Sequence, residues 1–399
     1  MIVPADTARA PASAYNGRIA FPPENRMTSP AEPSATRRDF LTGTALRRQA
    51  EHAGGELADA MADALPVDDT PRAGPTVRLE TRAMACTFSV VMNPGPSRRV
   101  MTASDALDMI HALEAQMTVY RPQSELSQLN RQAAAGPVHV EHGLFQLLLL
   151  ARDISRETEG AFDPTSGPLI ALWRTCRDAG RIPTADEIAG ALAVVGMNHI
   201  AFDEAEQTVR FDRSGVELNL GAIGKGHAVD QAAAFLIQEG VDEWLFHGGF
   251  SSVLVRGDHC GYGGWPVGIR NPLLPHERLA TILLKDQSLS TSGSNVQYFR
   301  HAGKRYGHIV DPRTGWPAEQ LLSVTVTAPT AAVADALSTA FFVGGVENAL
   351  RYCDNHPEIG AIFVRLPKRG RTLEVLLCGV PEEVLFFEGN VEAEVYRRA

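Results

Sequence analysis

Hydrophobic positions follow two regimes along the chain, divided near residue 76. Before that point apolar residues are scattered without period among Ala, Pro, Arg, Asp and Glu. Such a segment cannot bury enough apolar surface to offset its ordering entropy, so residues 1–75 are expected to form a disordered or loosely helical extension. Beyond it, regular periods set in. Residues 88–92 read as a short strand, and 101–117 place Leu107, Ile110, Leu113 and Met117 at helical spacing. Residues 144–158 repeat the helical pattern up to a stop near Gly160. Residues 209–220 read as two strands around a turn at 212–215, 228–239 as a helix stopped by Gly240, and 243–246 as a strand. Residues 322–327 alternate strictly, as a half-buried strand should. Pro329 ends that strand, Thr330 can cap the next helix, and Gly344-Gly345 closes it. Residues 362–366 and 373–378 read as a terminal strand pair. Strands and helices alternate irregularly and no internal repeat is seen, which predicts an α+β fold with a mixed sheet over residues 76–390.

Charge narrows the choice of partner. The formal net charge is -10 and no long Lys/Arg-rich face is present, which argues against nucleic acid, whose phosphates need cations. A small anion would need local cations, a metal or backbone N–H groups to overcome that field. Five cysteines, odd in number and far apart, predict reduced thiols rather than a disulfide framework or a zinc site. No apolar run reaches the roughly 20 residues of a membrane-spanning helix. Thr36-Arg37-Arg38-Asp39-Phe40-Leu41-Thr42 resembles a twin-arginine export signal, but the polar stretch at 43–51 stands where an apolar one is required. The cytoplasm is therefore the expected compartment.

Four segments carry candidate chemistry. Residues 218–227 run from a strand into a glycine-rich turn with Lys225, ahead of a helix; glycines admit close backbone approach and a helix N-terminus favours phosphate. The spacing is neither a Walker loop nor G-x-G-x-x-G, and a purely structural tight turn fits it equally. In the helix after Thr330, Asp335 and Thr339 are four apart and share a face with Ser338 beside them. A carboxylate and a hydroxyl so placed could hold magnesium, which prefers oxygen; a polar stripe facing water has the same pattern. His308 precedes an Asp-Pro-x-x-Gly turn at 311–315 and could accept a proton near neutral pH, although a surface strand histidine reads the same way. The hydroxyl-rich run 290–295 could donate to phosphate or ribose.

In series, these segments resemble the FAD:protein FMN transferase family, the ApbE-like flavin transferases. The likeness spans residues 81–345 and rests on blocks at 84–88, 118–130, 160–173, 218–230, 290–295 with 306–315, and 328–344. The resemblance implies an α+β fold with a cleft for FAD, and magnesium-dependent transfer of FMN to a Thr or Ser of an acceptor protein with release of AMP. By position it implies a metal held by the Ala222 carbonyl and by Asp335 and Thr339. Met84, Tyr120, Ala161, Phe162, Asp163, Lys225 and Ile309 would line the FAD site, and His308 with Asp335 would act in catalysis. Three positions depart from the family pattern: Phe250 and Ser294 stand where acids are usual, and Asn219 where Asp is common. These losses leave two alternatives open, an FAD pyrophosphatase giving free FMN and AMP, and a non-catalytic FAD-binding protein.

Overall fold

Side chains that alternate along a strand point to opposite faces, so a sheet covered on both sides needs apolar residues at every position. Inner strands of the main sheet here are covered on both sides, while its two edge strands are not. The structure, a computed structural model, describes residues 76–293, 298–365, 372–388 and 393–398; the extension at 1–75 and Ser294 lie outside the described residues. The chain opens with β1 (Val77–Ala83) and β2 (Cys86–Met92), then helices α1 (Ser97–Met117) and α2 (Glu125–Gln132). Next come β3 (Val138–His139), α3 (His142–Glu157), α4 (Gly167–Asp178), α5 (Ala185–Leu192), β4 (Ile200–Asp203) and β5 (Thr208–Phe211). Helix α6 (Gly224–Gln238) leads into β6 (Trp244–Gly248), β7 (Ser252–Arg256), β8 (Trp265–Arg270), β9 (Arg278–Leu284) and β10 (Ser288–Gly293). After the hairpin β11 (Tyr298–His301) and β12 (Lys304–Gly307) follow β13 (Ser323–Ala328) and helix α7 (Ala331–Asn355). The last strands are β14 (Gly360–Arg365), β15 (Leu373–Cys378), β16 (Leu385–Phe387) and β17 (Ala393–Arg398).

Among the described residues, nine strands form the main sheet in the order β1-β2-β6-β7-β10-β13-β14-β15-β17. Every pairing is antiparallel except β15 with β17. One face meets helices: Phe88, Val90 and Met92 pack with apolar residues of α1 and α6, and Val324, Val326 and Ala328 pack with α7 and α3. The opposite face meets the three-stranded sheet β16-β9-β8, through Val91, Leu245, Val253, Val255, Leu289, Ile362 and Val364. This double cover corrects the expectation for residues 322–327, because all six residues of β13 are buried rather than every second one.

Three other local expectations change. The predicted strand pair at 209–220 does not form: β5 pairs with β3 and β4 instead. Residues beyond the turn are held by Asn130, whose amide donates to the Leu218 carbonyl and whose carbonyl accepts from the Leu218 N–H, both at 2.9 Å. The first helical stretch closes at Gly344-Gly345 as expected, but a second follows directly and the two are joined as α7. Gly345 breaks the helical path with φ 77° and ψ 176°, and the chain then resumes as helix to Asn355 because Val346, Ala349 and Cys353 continue a buried face. The pair β14–β15 forms but is not terminal, since β16 and β17 follow and β17 extends the sheet past residue 390. None of the five cysteines forms a disulfide, and only Cys260 is exposed.

Between the two sheets lies a cavity of about 110 Å³ bordered by His247, Phe250, Arg270 and Thr291. His247 stacks on Phe250, and the Arg270 guanidinium lies 4.7 Å from the centre of that ring. Burial pushes the His247 pKa down to about 4, with Arg78 acting in the same direction. An unfolded histidine near 6.5 binds a proton that the folded one refuses. This part of the stability is therefore complete above pH ~6.5 and is lost as pH falls toward ~4. The expected loss between pH 7 and pH 5 is about 2 kcal/mol. Urea midpoints of the wild type and His247→Leu at the two pH values test it: equal drops in both proteins would rule it out.

Candidate functional site

Asp335 lies on the second turn of α7 and is 5% exposed, so the polar stripe faces inward and not water. Its Oδ1 accepts from Ser252 Oγ and Ser290 Oγ, each at 3.1 Å, and its Oδ2 accepts from the Gly226 N–H at 3.1 Å. A carboxylate offers about four acceptor directions, so these three donors leave room for one further ligand. Ser292 and Ser338 hydroxyls lie 2.8 Å apart, and Ser292 reaches Thr339 Oγ1 at 3.1 Å. Period-two alternation explains the convergence: Ser290 and Ser292 leave the same face of β10, the face that α7 covers.

The glycine-rich turn is brought to the same place. Ile223 and Gly224 N–H groups both bond to the Leu220 carbonyl, closing a tight turn that contains the half-buried Ala222. Asn219 accepts from the Gly221 N–H at 2.9 Å, and Lys225 Nζ donates to the Gly221 carbonyl at 3.4 Å. Helix α6 starts here and crosses α7 at Gly226, where a β-carbon would stand 2.2 Å from the Ala331 carbonyl oxygen. One turn later on α6, Asp230 accepts from the Ala331 and Ala332 N–H groups at 2.7 and 2.8 Å, capping α7 together with Thr330. Burial pushes the Asp230 carboxyl up to about 6 against those two donors, and the nearby Asp335 adds to the rise. Asp230 was not singled out in the sequence; its position four residues after Gly226 on one helix face was the available signal. Asp230→Ala leaves both N–H groups unsatisfied, with an expected cost of about 1–3 kcal/mol. A urea midpoint unchanged from the wild type would refute that bond's role.

The remaining predicted residues come from several separate turns and loops. Met84 and Ala85 make the two-residue turn between β1 and β2, both at positive φ, and the Met84 N–H donates to Glu114 Oε1 at 2.9 Å. Tyr120 is 63% exposed, with the Arg174 guanidinium 5.4 Å from its ring centre. Ala161 and Phe162 are both 2% exposed, and Phe162 belongs to the core beneath α3 and α7. Asp163 accepts from the Thr165 N–H and hydroxyl at 2.8 and 2.6 Å, and burial raises its pKa. Ile309 is half-buried against the core, while His308, the residue after β12, is exposed. The Asp311–Gly315 turn forms as expected, with Asp311 also pairing Arg313 at 2.9 Å.

The side chains of the Asp335 cluster offer only oxygen atoms, and among the described residues no group of three or more His, Cys, Asp or Glu could hold a metal ion. One carboxylate beside hydroxyls and a carbonyl-bearing turn suits a hard cation that keeps several waters. An α+β protein with a buried acid between two helix starts, facing a glycine-rich turn, is the class that these elements define. The sequence profile of the ApbE family matches residues 84–363. A FAD:protein FMN transferase of Klebsiella pneumoniae is 33% identical over 264 residues, covering 66% of this chain and 81% of that protein. One from Treponema pallidum is 32% identical, covering 70% and 82%. Among solved structures, the ApbE protein of Thermotoga maritima superposes with a TM-score of 0.68 at 28% identity, over 75% of this chain and 96% of that one. The flavin transferase ApbE of Vibrio cholerae gives 0.66 at 26%, over 75% and 97%. The chain belongs to the ApbE family. Among the described residues, no helix is long and apolar enough to cross a membrane.

Proposed function

We propose that this protein is a magnesium-dependent FAD:protein FMN transferase, which moves FMN from FAD to a Thr or Ser hydroxyl of an acceptor protein and releases AMP. The observation that carries the reading is the buried Asp335 carboxylate, fixed by three donors and four residues from Thr339 on the same helix. Asp335, Thr339 and the Ala222 carbonyl would hold the cation, which when bound neutralises charge on the phosphates. Lys225 would add a point charge at the same turn, and the start of α6 would present N–H groups. Met84, Tyr120, Asp163 and Ile309 would position FAD. Ala161 and Phe162 would contribute backbone, because their side chains are committed to the interior. In the reaction the acceptor oxygen bonds to the FMN phosphorus while the bond from that phosphorus to the bridging oxygen breaks. AMP leaves with that oxygen, and the exposed His308 would take the hydroxyl proton.

Incubating the purified protein with FAD, magnesium and an acceptor carrying a flavinylation-type Thr tests this reading. Covalent flavin fluorescence on the acceptor is the expected result. Release of free FMN and AMP alone would mean a pyrophosphatase, and intact FAD would mean binding without chemistry.

A further inference from the structure

The cavity of about 110 Å³ between the two sheets lies back to back with the Asp335 cluster, on opposite faces of one strand. Along β10, Ser290 and Ser292 turn toward α7, whereas Leu289 and Thr291 turn the other way and border the cavity. The segment after β6 links the two sides. Phe250 borders the cavity, and the Ser251 carbonyl accepts from the Thr291 N–H at 2.8 Å and from Ser290 Oγ at 2.9 Å. Next along the chain, Ser252 Oγ donates to Asp335 at 3.1 Å.

Much of the cavity wall is apolar, from Leu245, Val253, Val267 and Leu289. His247 breaks that wall. It is 8% exposed, and its Nδ1 is buried with no hydrogen-bond partner among the described residues. Burial keeps the imidazole neutral near pH 7. Buried polar atoms are nearly always paired, because an unmade bond forfeits what water would have supplied. A ligand hydroxyl serves either tautomer of that ring, since it both donates and accepts. Phe250, stacked on His247 with ring centres 5.6 Å apart, adds an aromatic border. Cavities of about 150 Å³ take benzene, so this space suits one small ring. Charge is disfavoured on two counts: apolar walls would desolvate an ion, and the Arg270 guanidinium at the border repels a cation. We propose that this cavity binds an uncharged single-ring compound bearing a hydroxyl, held by His247, and that residues 250–252 pass its occupancy to Asp335.

Titrating para-fluorophenol and fluorobenzene into the full chain, followed by fluorine NMR, tests the site. The phenol should bind saturably and at least about fivefold tighter than fluorobenzene, the gain of one hydrogen bond. His247→Leu should erase that preference while fluorobenzene still binds. Val267→Phe, which puts a ring of the protein's own into the space, should abolish binding of both, with melting temperatures showing that both variants fold. The link to Asp335 is read at the backbone amide of Gly226, whose N–H bonds to Asp335 Oδ2. Its NMR signal should shift as the phenol saturates the wild type and stay still in Val267→Phe. No saturable binding, equal affinities of the two probes in the wild type, a preference that survives His247→Leu, or tighter binding of para-fluorobenzoate would overturn the site. A Gly226 signal that does not move at saturation would overturn the link. Neither readout involves FAD or an acceptor, so both halves stand or fall apart from the transferase reading.

Discussion

Asp335→Ala is expected to lower FAD cleavage at least about a thousandfold, because it removes the only carboxylate among the oxygens proposed to hold the cation. The variant also strands the Gly226 N–H and takes the carboxylate acceptor from Ser252, while Ser290 keeps the Ser251 carbonyl at 2.9 Å. Asp335→Asn separates the two consequences. It keeps side-chain volume and one acceptor oxygen, so folding should survive while activity does not. AMP release measured across a magnesium titration reads the result. Turnover in Asp335→Asn equal to the wild type would remove the metal assignment, and with it the mechanism.

The second large effect is expected at Gly226. Its added β-carbon would meet the Ala331 carbonyl oxygen at 2.2 Å, the carbonyl carbon at 2.5 Å and the Ala332 nitrogen at 2.7 Å. All three atoms are backbone, so no side chain can swing aside, and α6 and α7 must move apart. Gly226→Ala should therefore cost about 1–3 kcal/mol in stability. It should also cost more activity than Asp230→Ala, because the shift draws the glycine-rich turn away from Asp335. Thermal melts and AMP release together decide this. A variant with both the melting temperature and the activity of the wild type would show that the helix crossing has slack that the geometry denies.

Much of this architecture is legible before any coordinates. The α1 and α6 helices and the presence of β13 follow from apolar spacing, although the alternation in β13 hid its burial on both faces. Elements with weak marks were lost. Strand β5 finds its partners upstream, at β3 and β4, and local pattern does not encode long-range pairing. The three-residue β16 and the exposed edge strand β17 bury too little to leave a period. The candidate site divides the same way. Asp335 with Thr339 could be read as a shared helix face, but whether that face meets water or protein depended on where β10 lies. Asp230, Ser252 and Ser290 gained meaning only when two helix starts and two strands came together, a juxtaposition of residues 45 to 109 positions apart in the chain.

The break at Gly345 has a consequence for how this family member could change. An unbroken helix transmits rotation, so one inserted residue turns everything beyond it by about 100°. With a swivel at Gly345, the half bearing Asp335 and Thr339 and the half seating Ala349 and Cys353 keep separate angular settings. Length changes just past the swivel need not disturb the acid, whereas the same change between residues 335 and 339 would point the two oxygens in different directions.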